Sequence, residues 1–167
     1  SQFGDSVMDR YGCSDFDGDG YSDLGDLFPS DLWQWNDTDG DGYGDNNFSS
    51  SGYPNAIFEG TEWDDCPNEY GLSTRNNTLG CLDLDYDGWA DSQDIFDNDS
   101  SQWADQDGDG FGDQLNGLQG DACPSVVGNS TEDRFGCTDF DGDGWSDDGD
   151  DLPQESTQWK DRDGDGY

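Results

Sequence analysis

Apolar residues are sparse along this chain, and they keep no period that a regular element needs. The stretches between its Asp-rich segments read DLFPSDLWQW (26–35), DIFDNDSSQW (94–103) and DLPQESTQW (151–159). None sustains a 3.6-residue apolar spacing, and two contain Pro, so no amphipathic helix is expected there. No run of 18 apolar residues is present to cross a membrane as a helix. The pattern predicts an irregular, coil-dominated and elongated array of short turns and isolated two-residue bridges, with almost no helix or sheet.

Composition changes that picture in one respect. Leu, Ile, Val and Phe together make 24 of 167 residues, and 42 acidic residues face five basic ones, for a formal charge of −37. Such values ordinarily describe a disordered acidic segment, with too little apolar area to offset chain entropy. Yet 14% of the chain is aromatic, five Cys are present, and the Asp residues alternate with Gly instead of forming blocks. This is the pattern of a chain that folds around bound cations. The acidity makes nucleic acid an unfavourable partner, since phosphates need Lys and Arg. His is absent, and no nucleophile–base pair stands out, so no enzyme is expected.

The Asp-rich segments form an internal repeat. GCSDFDGDGYSDLGDLFP (12–29), GCLDLDYDGWADSQDIFD (80–97) and GCTDFDGDGWSDDGDDLP (136–153) align without gaps. Each is followed by Gln-Trp and a second Asp-rich loop: WNDTDGDGYGD (35–45), WADQDGDGFGD (103–113) and WKDRDGDGY (159–167). The first set is termed type A and the second type B. The repeat units run 1–66, 67–123 and 124–167, the last one truncated. The chain opens on Ser and stops within a type B loop, which reads as an internal piece of a longer secreted protein.

A hard divalent cation takes oxygens from positions 1, 3, 5, 7 (a backbone carbonyl), 9 and 12 of a twelve-residue loop, with Gly at 6. The type A loops fill every position. The first offers Asp15, Asp17, Asp19, the Tyr21 carbonyl, Asp23 and Asp26. The second offers Asp83, Asp85, Asp87, the Trp89 carbonyl, Asp91 and Asp94. The third offers Asp139, Asp141, Asp143, the Trp145 carbonyl, Asp147 and Asp150. Type B loops stop at position 9, with Asp37, Asp39, Asp41, Tyr43 and Asp45 in one, and Asp105, Asp107, Asp109, Phe111 and Asp113 in the next. Their twelfth positions are Phe48 and Asn116. The candidates for the missing oxygen are Asp64 in WDDCP and Asp121 in GDACP, with Asn116 a competitor for its own loop. The last loop keeps Asp161, Asp163, Asp165 and Tyr167 and is expected to be incomplete. About five to six calcium sites follow. Magnesium holds fewer carboxylates and keeps its waters, and zinc wants Cys or His. The flanks are not amphipathic helices, so these are not EF-hands.

The pattern D-x-D-x-D-G-x-x-D-x-x-D with intervening Asp-x-Cys-Pro resembles thrombospondin type 3 repeats. DFDGDGYSDLGD (15–26), DLDYDGWADSQD (83–94), DFDGDGWSDDGD (139–150) and the DDCP and DACP elements carry the resemblance, which covers essentially the whole chain. It implies calcium-wrapped, disulfide-pinned loops in extracellular matrix or large microbial surface proteins. The long linkers, the recurrent Gln-Trp and the insertions before Cys-Pro depart from the animal pattern.

Cys66 and Cys81, and likewise Cys123 and Cys137, bracket similar lengths and are predicted as disulfides, each worth up to about 3 kcal/mol. Aligning DRYGC (9–13) with DRFGC (133–137) places the partner of Cys13 upstream of Ser1, with a link to another chain as the alternative. Glycosylation sequons occur at Asn36, Asn47, Asn76, Asn98 and Asn129, five of ten Asn where Ser and Thr content predicts one or two. The recurrent Trp residues read as small apolar plugs between loops, or as a carbohydrate-stacking platform. The expected function is a calcium-stabilised, glycosylated spacer or fibre-forming segment at the cell surface or outside the cell, with copies of itself joined end to end as possible partners. The alternative is a calcium-dependent adhesion or carbohydrate-binding module using exposed Trp.

Overall fold

The computed structural model describes residues 4–46 and 63–166. The chain divides into two compact units, Ser1–Ser92 and Gln93–Tyr167. Among the described residues there is no helix, and the only strand-like pairing is a parallel bridge between Gly44 and Trp63. The chain is coil-dominated, as its apolar pattern predicts.

Short turns take the place of helices, and the linkers show why. In the first, Asp31 N donates to Phe28 O (2.8 Å) and Gln34 N to Asp31 O (2.9 Å). Asp99 to Phe96 and Gln102 to Asp99 repeat this at 2.7 and 2.8 Å, as do Glu155 to Leu152 and Gln158 to Glu155 at 2.9 and 3.0 Å. Pro29 and Pro153 each occupy the second position of such a turn, where a fixed φ helps and no amide hydrogen is needed. The linker ends are then tied together by Leu27 N to Trp35 O, Ile95 N to Trp103 O and Asp151 N to Trp159 O.

The interior is polar. Cys81, Ala90 and Cys137 are the buried apolar residues described, whereas Ser6, Ser73, Ser130, Gln34, Gln102, Asp64 and Asp121 are all buried. Buried polar groups persist only when they are partnered, and the serines show how. The hydroxyls of Ser6, Ser73 and Ser130 donate to the carbonyls of Arg10, Thr78 and Arg134. They accept from the amides of Cys13, Cys81 and Cys137, each at 3.0 Å. Disulfides join Cys66 to Cys81 and Cys123 to Cys137, with Cα atoms 5.0 and 5.1 Å apart. Cys13 is exposed and has no disulfide partner among the described residues.

Aromatic rings pack at the edges of the loops. Tyr21 stacks on Trp35 with centroids 5.2 Å apart, and Trp145 on Trp159 at 5.3 Å. Position 7 of the first and third type A loops thus meets the Trp that opens the following type B loop. Phe111, at position 7 of a type B loop, meets Phe135 at 5.9 Å. Such pairs contribute about 0.5–1.5 kcal/mol each beyond area burial.

Each Asp loop turns through positive φ at positions 4 and 6, as in Gly18 (84°) and Gly20 (104°). The loop starting at Asp83 differs, placing Tyr86 at the first of these with φ 64° and its side chain exposed. Left-handed backbone costs a residue with a Cβ roughly 1–2 kcal/mol, while glycine adds unfolded-state entropy. Tyr86→Gly is therefore expected to stabilise the protein by roughly 0.5–1 kcal/mol. Urea unfolding reads this as a higher midpoint at constant slope. A lower midpoint would show that the exposed ring contributes more than its backbone costs.

Candidate metal centres

Within each Asp loop the carboxylates are aimed by backbone amides. At position 1, Asp15 accepts from Gly18 N through Oδ1 (2.7 Å) and from Gly20 N through Oδ2 (3.0 Å). Asp37, Asp83, Asp105, Asp139 and Asp161 each accept the same two bonds, all between 2.7 and 3.0 Å. At positions 3 and 5, Oδ1 accepts the amide two residues on, as in Asp19 N to Asp17 (3.2 Å) and Tyr21 N to Asp19 (2.7 Å). At position 9, Oδ1 accepts the amide of position 2, so that Asp23, Asp45, Asp91, Asp113 and Asp147 close back over the loop. Those at positions 3 and 5 are Asx turns, and all are the local chemistry that makes Asp favour turns over helices.

One oxygen per carboxylate is consumed in this way at positions 3 and 5, and the other turns inward. Oxygens from Asp15, Asp17 and Asp19 lie within 4.8 Å of one another. The same holds for Asp37, Asp39 and Asp41, for Asp83, Asp85 and Asp87, for Asp105, Asp107 and Asp109, and for Asp139, Asp141 and Asp143. Oxygens sharing one calcium at 2.3–2.6 Å stand at most about 5 Å apart. The Oδ2 atoms of Asp17, Asp39, Asp85, Asp107 and Asp141 are buried and have no hydrogen-bond partner. They are the position 3 oxygens of five successive loops, and a buried acceptor left unpaired is costly. Asp19 and Asp87 Oδ2 are in the same state. In the type B loops the position 5 oxygen is instead bonded, Asp41 Oδ2 by Gly71 N (3.2 Å) and Asp109 Oδ2 by Gly128 N (2.9 Å). The donor set fits a hard cation: all oxygen, multiply anionic and partly dehydrated.

Crowding is visible in the acidities. Burial, followed by the charges of Asp17, Asp26 and Asp15, holds the Asp19 carboxyl above its ordinary range. Asp26 is raised by burial and then by Asp17, Asp15 and Asp23. Asp141 is raised by burial and then by Asp143, Asp150 and Asp139. Position 12 therefore shares the field of the triplet in the first and third type A loops.

The type B loops are closed by a distant residue through the bonds that position 12 makes in type A. Asp26 N donates to Ser22 O (3.0 Å) and Asp150 N to Ser146 O (2.9 Å), which links position 12 to position 8. Asp64 N donates to Gly44 O (2.9 Å) and Asp121 N to Gly112 O (2.7 Å), which are again position 8 carbonyls. Asp26, Asp94 and Asp150 Oδ1 each accept the amide two residues on at 2.6 Å. Asp64 and Asp121 do likewise from Cys66 N (2.7 Å) and Cys123 N (2.6 Å). Both are buried with Oδ2 unpartnered, whereas Asn116 is exposed. Two of the three Gly-Cys pairs are explained here. A Cβ on Gly80 or Gly136 would stand 2.3 Å from Oδ1 of Asp64 or Asp121, and both glycines have positive φ.

Burial first, and then the charges of Asp41, Asp39 and Asp45, raise the Asp64 carboxyl to about 6. Burial and the charges of Asp109, Asp107 and Asp113 raise Asp121. In the metal-free protein a raised carboxylate favours the fold below its unfolded value and loses that contribution as pH climbs through the folded one. For Asp64 the window runs from about 4 to about 6. A cation needs the deprotonated form, so binding in that window releases protons. Calcium affinity of this site is expected to fall as pH drops below 6, with proton release measured by calorimetry in buffers of different ionisation enthalpy. Asp64→Asn should remove the release, and an unchanged release would place its source elsewhere.

One set of partnered residues lies outside the loop spacing. Asp9 accepts from Ser22 N and Oγ, both at 2.8 Å, and Asp133 accepts from Ser146 N and Oγ at the same distances. Burial works against ionisation of these carboxylates, but the serine bonds, together with bonds from adjacent backbone amides, outweigh it and hold both below the ordinary range. The middle repeat has Asn77 and Ala90 at the aligned positions, with Ala90 buried. Both partners change together, so no buried hydroxyl is left unpaired. Joint change across repeats was the available signal.

Of the glycosylation sequons, Asn36, Asn76, Asn98 and Asn129 are exposed. The Asn36 side-chain amide donates to Thr38 Oγ1 and to the Asp45 carboxylate, so it is already engaged by its loop. Asn47, Phe48 and Tyr167 lie outside the described residues. No helix among the described residues is long and apolar enough to cross a membrane. In comparisons with known proteins, no family model matches the chain and no curated protein sequence matches it.

Proposed function

We propose that the chain is a calcium-stabilised structural segment of a secreted or cell-surface protein, built like an array of thrombospondin type 3 repeats. The observation that supports this best is the buried, unpartnered position 3 oxygen in five loops, each beside two further carboxylates. Calcium would be held by Asp15, Asp17, Asp19, Asp23 and Asp26 and by their counterparts in the other type A loops. In the type B loops Asp64 and Asp121 would complete the sets. Position 7 residues would contribute carbonyls alone. Six ions would leave the formal charge near −25, so neighbouring segments repel instead of collapsing together. Disulfides fit an oxidising, extracellular setting, and exposed sequon asparagines fit glycosylation there.

Fold and metal in this reading serve to make a stiff spacer, with end-to-end assembly into a fibre as its extension. X-ray scattering with and without calcium tests it. The expected result is an extended, calcium-dependent particle, and a radius of gyration indifferent to calcium would oppose the spacer role. A second reading is supported by Trp159, which is 44% exposed while its ring stacks on Trp145. One open indole face is what a sugar ring stacks on. Saturable binding of neutral glycans, lost in Trp159→Ala, would favour an adhesion module.

A further inference from the structure

Gln34 and Gln102 are the largest fully buried side chains described, each 1% exposed. Both precede the Trp that opens a type B loop, and neither lies in the loop itself. Gln34 Oε1 accepts from Asn46 N (2.9 Å), and its Nε2 donates to Asn46 O (3.1 Å). Gln102 makes the same pair with Gln114, both at 3.0 Å, and adds Leu118 O at 3.3 Å. Asn46 and Gln114 are the residues directly after the position 9 aspartates. A side-chain amide thus pairs with the main chain as a neighbouring strand would, at the point where the chain leaves the loop.

The same glutamines sit against position 8. A Cβ on Gly44 or Gly112 would stand 2.1 Å from Oε1 of Gln34 or Gln102. Type A loops carry Ser22, Ala90 and Ser146 at this position. In the first and third of these the serine is held by an aspartate, and position 12 follows along continuous chain. In type B loops position 12 arrives from Asp64 or Asp121, after insertions of unequal length, and bonds the carbonyl of that same glycine. Glycine at position 8 and glutamine before Trp are therefore one device, confined to the loops whose last ligand is remote.

We propose that Gln34 and Gln102 are positioning residues for two split calcium sites. They fix the exit of the loop and the position 8 carbonyl, so that Asp64 and Asp121 dock in the geometry of position 12 whatever chain is inserted between. The inference rests on the reading of these loops as calcium sites and adds to it which residues outside the ligand set determine their completeness.

Terbium tests this in the intact chain, with luminescence lifetimes in H2O and D2O counting the waters on each class of ion. Wild type is expected to saturate both loop types. Gln34→Met plus Gln102→Met should weaken two sites by about 10–100-fold, as outer-shell losses do, and add about one water to those ions. The type A loops, which bind as before, report that the chain is folded. Gly112→Ala approaches the same contact from the other side and should weaken its single site. Unchanged affinity and hydration in all variants would overturn the positioning role. So would equal weakening of every site, which would mean that the glutamines only hold the fold. Failure of wild type to bind terbium or calcium would instead overturn the calcium reading beneath it.

Discussion

Calcium chelation at neutral pH and low salt is expected to abolish the near-UV circular dichroism of this protein and expose its tryptophans to solvent. Two carboxylates about 4 Å apart repel by roughly 1 kcal/mol in water and about 4 at an effective dielectric near 20. Five triplets hold their oxygens within 4.8 Å, and five basic residues cannot balance 42 acidic ones. Ion pairs such as Arg134–Asp148 at 2.8 Å and Lys160–Asp151 at 3.1 Å are exposed and contribute little. Each site filled at a hundredfold excess over its Kd adds about 2.7 kcal/mol. A handful of such sites matches the whole stability of an ordinary domain, about 5–15 kcal/mol. Among the described residues no apolar core is in reserve, since the buried apolar ones are two half-cystines and one alanine. The disulfides limit how far the stripped chain expands, so the loss should be one of packing. Added salt is expected to recover part of the signal by screening, but less than calcium does, because the inward oxygens are buried.

The second large effect couples the disulfides to the split sites. Replacing Cys123 and Cys137 together by Ser is expected to cost about 2–5 kcal/mol of stability. It should also lower calcium affinity at the loop of Asp105 to Asp113 by at least about tenfold, or 1.4 kcal/mol. Cys123 N is the donor that orients Asp121, and Gly136, next to Cys137, packs directly on that carboxylate. The loop of Asp15 to Asp26 lies in the other unit and closes through continuous chain. Its affinity should not change. Calcium titration of the variant beside the parent checks this, and an equal fall at all loops would show that the disulfide supports the fold without orienting Asp121.

What could be read from the sequence was whatever is local. Alternating Asp and Gly within a dozen residues determines the loop turns, because each loop carboxylate bonds an amide two to seven residues away. The absence of helix was equally legible, since turns such as Phe28 to Asp31 use Pro29 where a helix interior would reject it. Cys66 to Cys81 and Cys123 to Cys137 followed from spacing alone. The contacts that escaped join segments a dozen or more residues apart through side chains that, unlike Cys, do not announce the type of their partner. Gln34 stands in a recurrent Gln-Trp, but nothing in that dipeptide specifies that its amide pairs with the main chain at Asn46. Asp9 and Ser22 were visible only by comparing repeats, where Asn77 and Ala90 change as a pair. Proposing Asp64 as a remote ligand was within reach of the motif. That it would bond the Gly44 carbonyl, as Asp26 bonds that of Ser22, was not.

The measurement closest to the central claim is a calorimetric titration of the chelator-stripped chain with calcium, in the presence of excess magnesium, followed by near-UV circular dichroism on the same sample. Five to six saturable sites, resistance to magnesium, and ordered aromatic signal appearing as the sites fill are expected. A stripped chain that keeps its aromatic signal, or binds calcium only as a diffuse counterion, would contradict that claim.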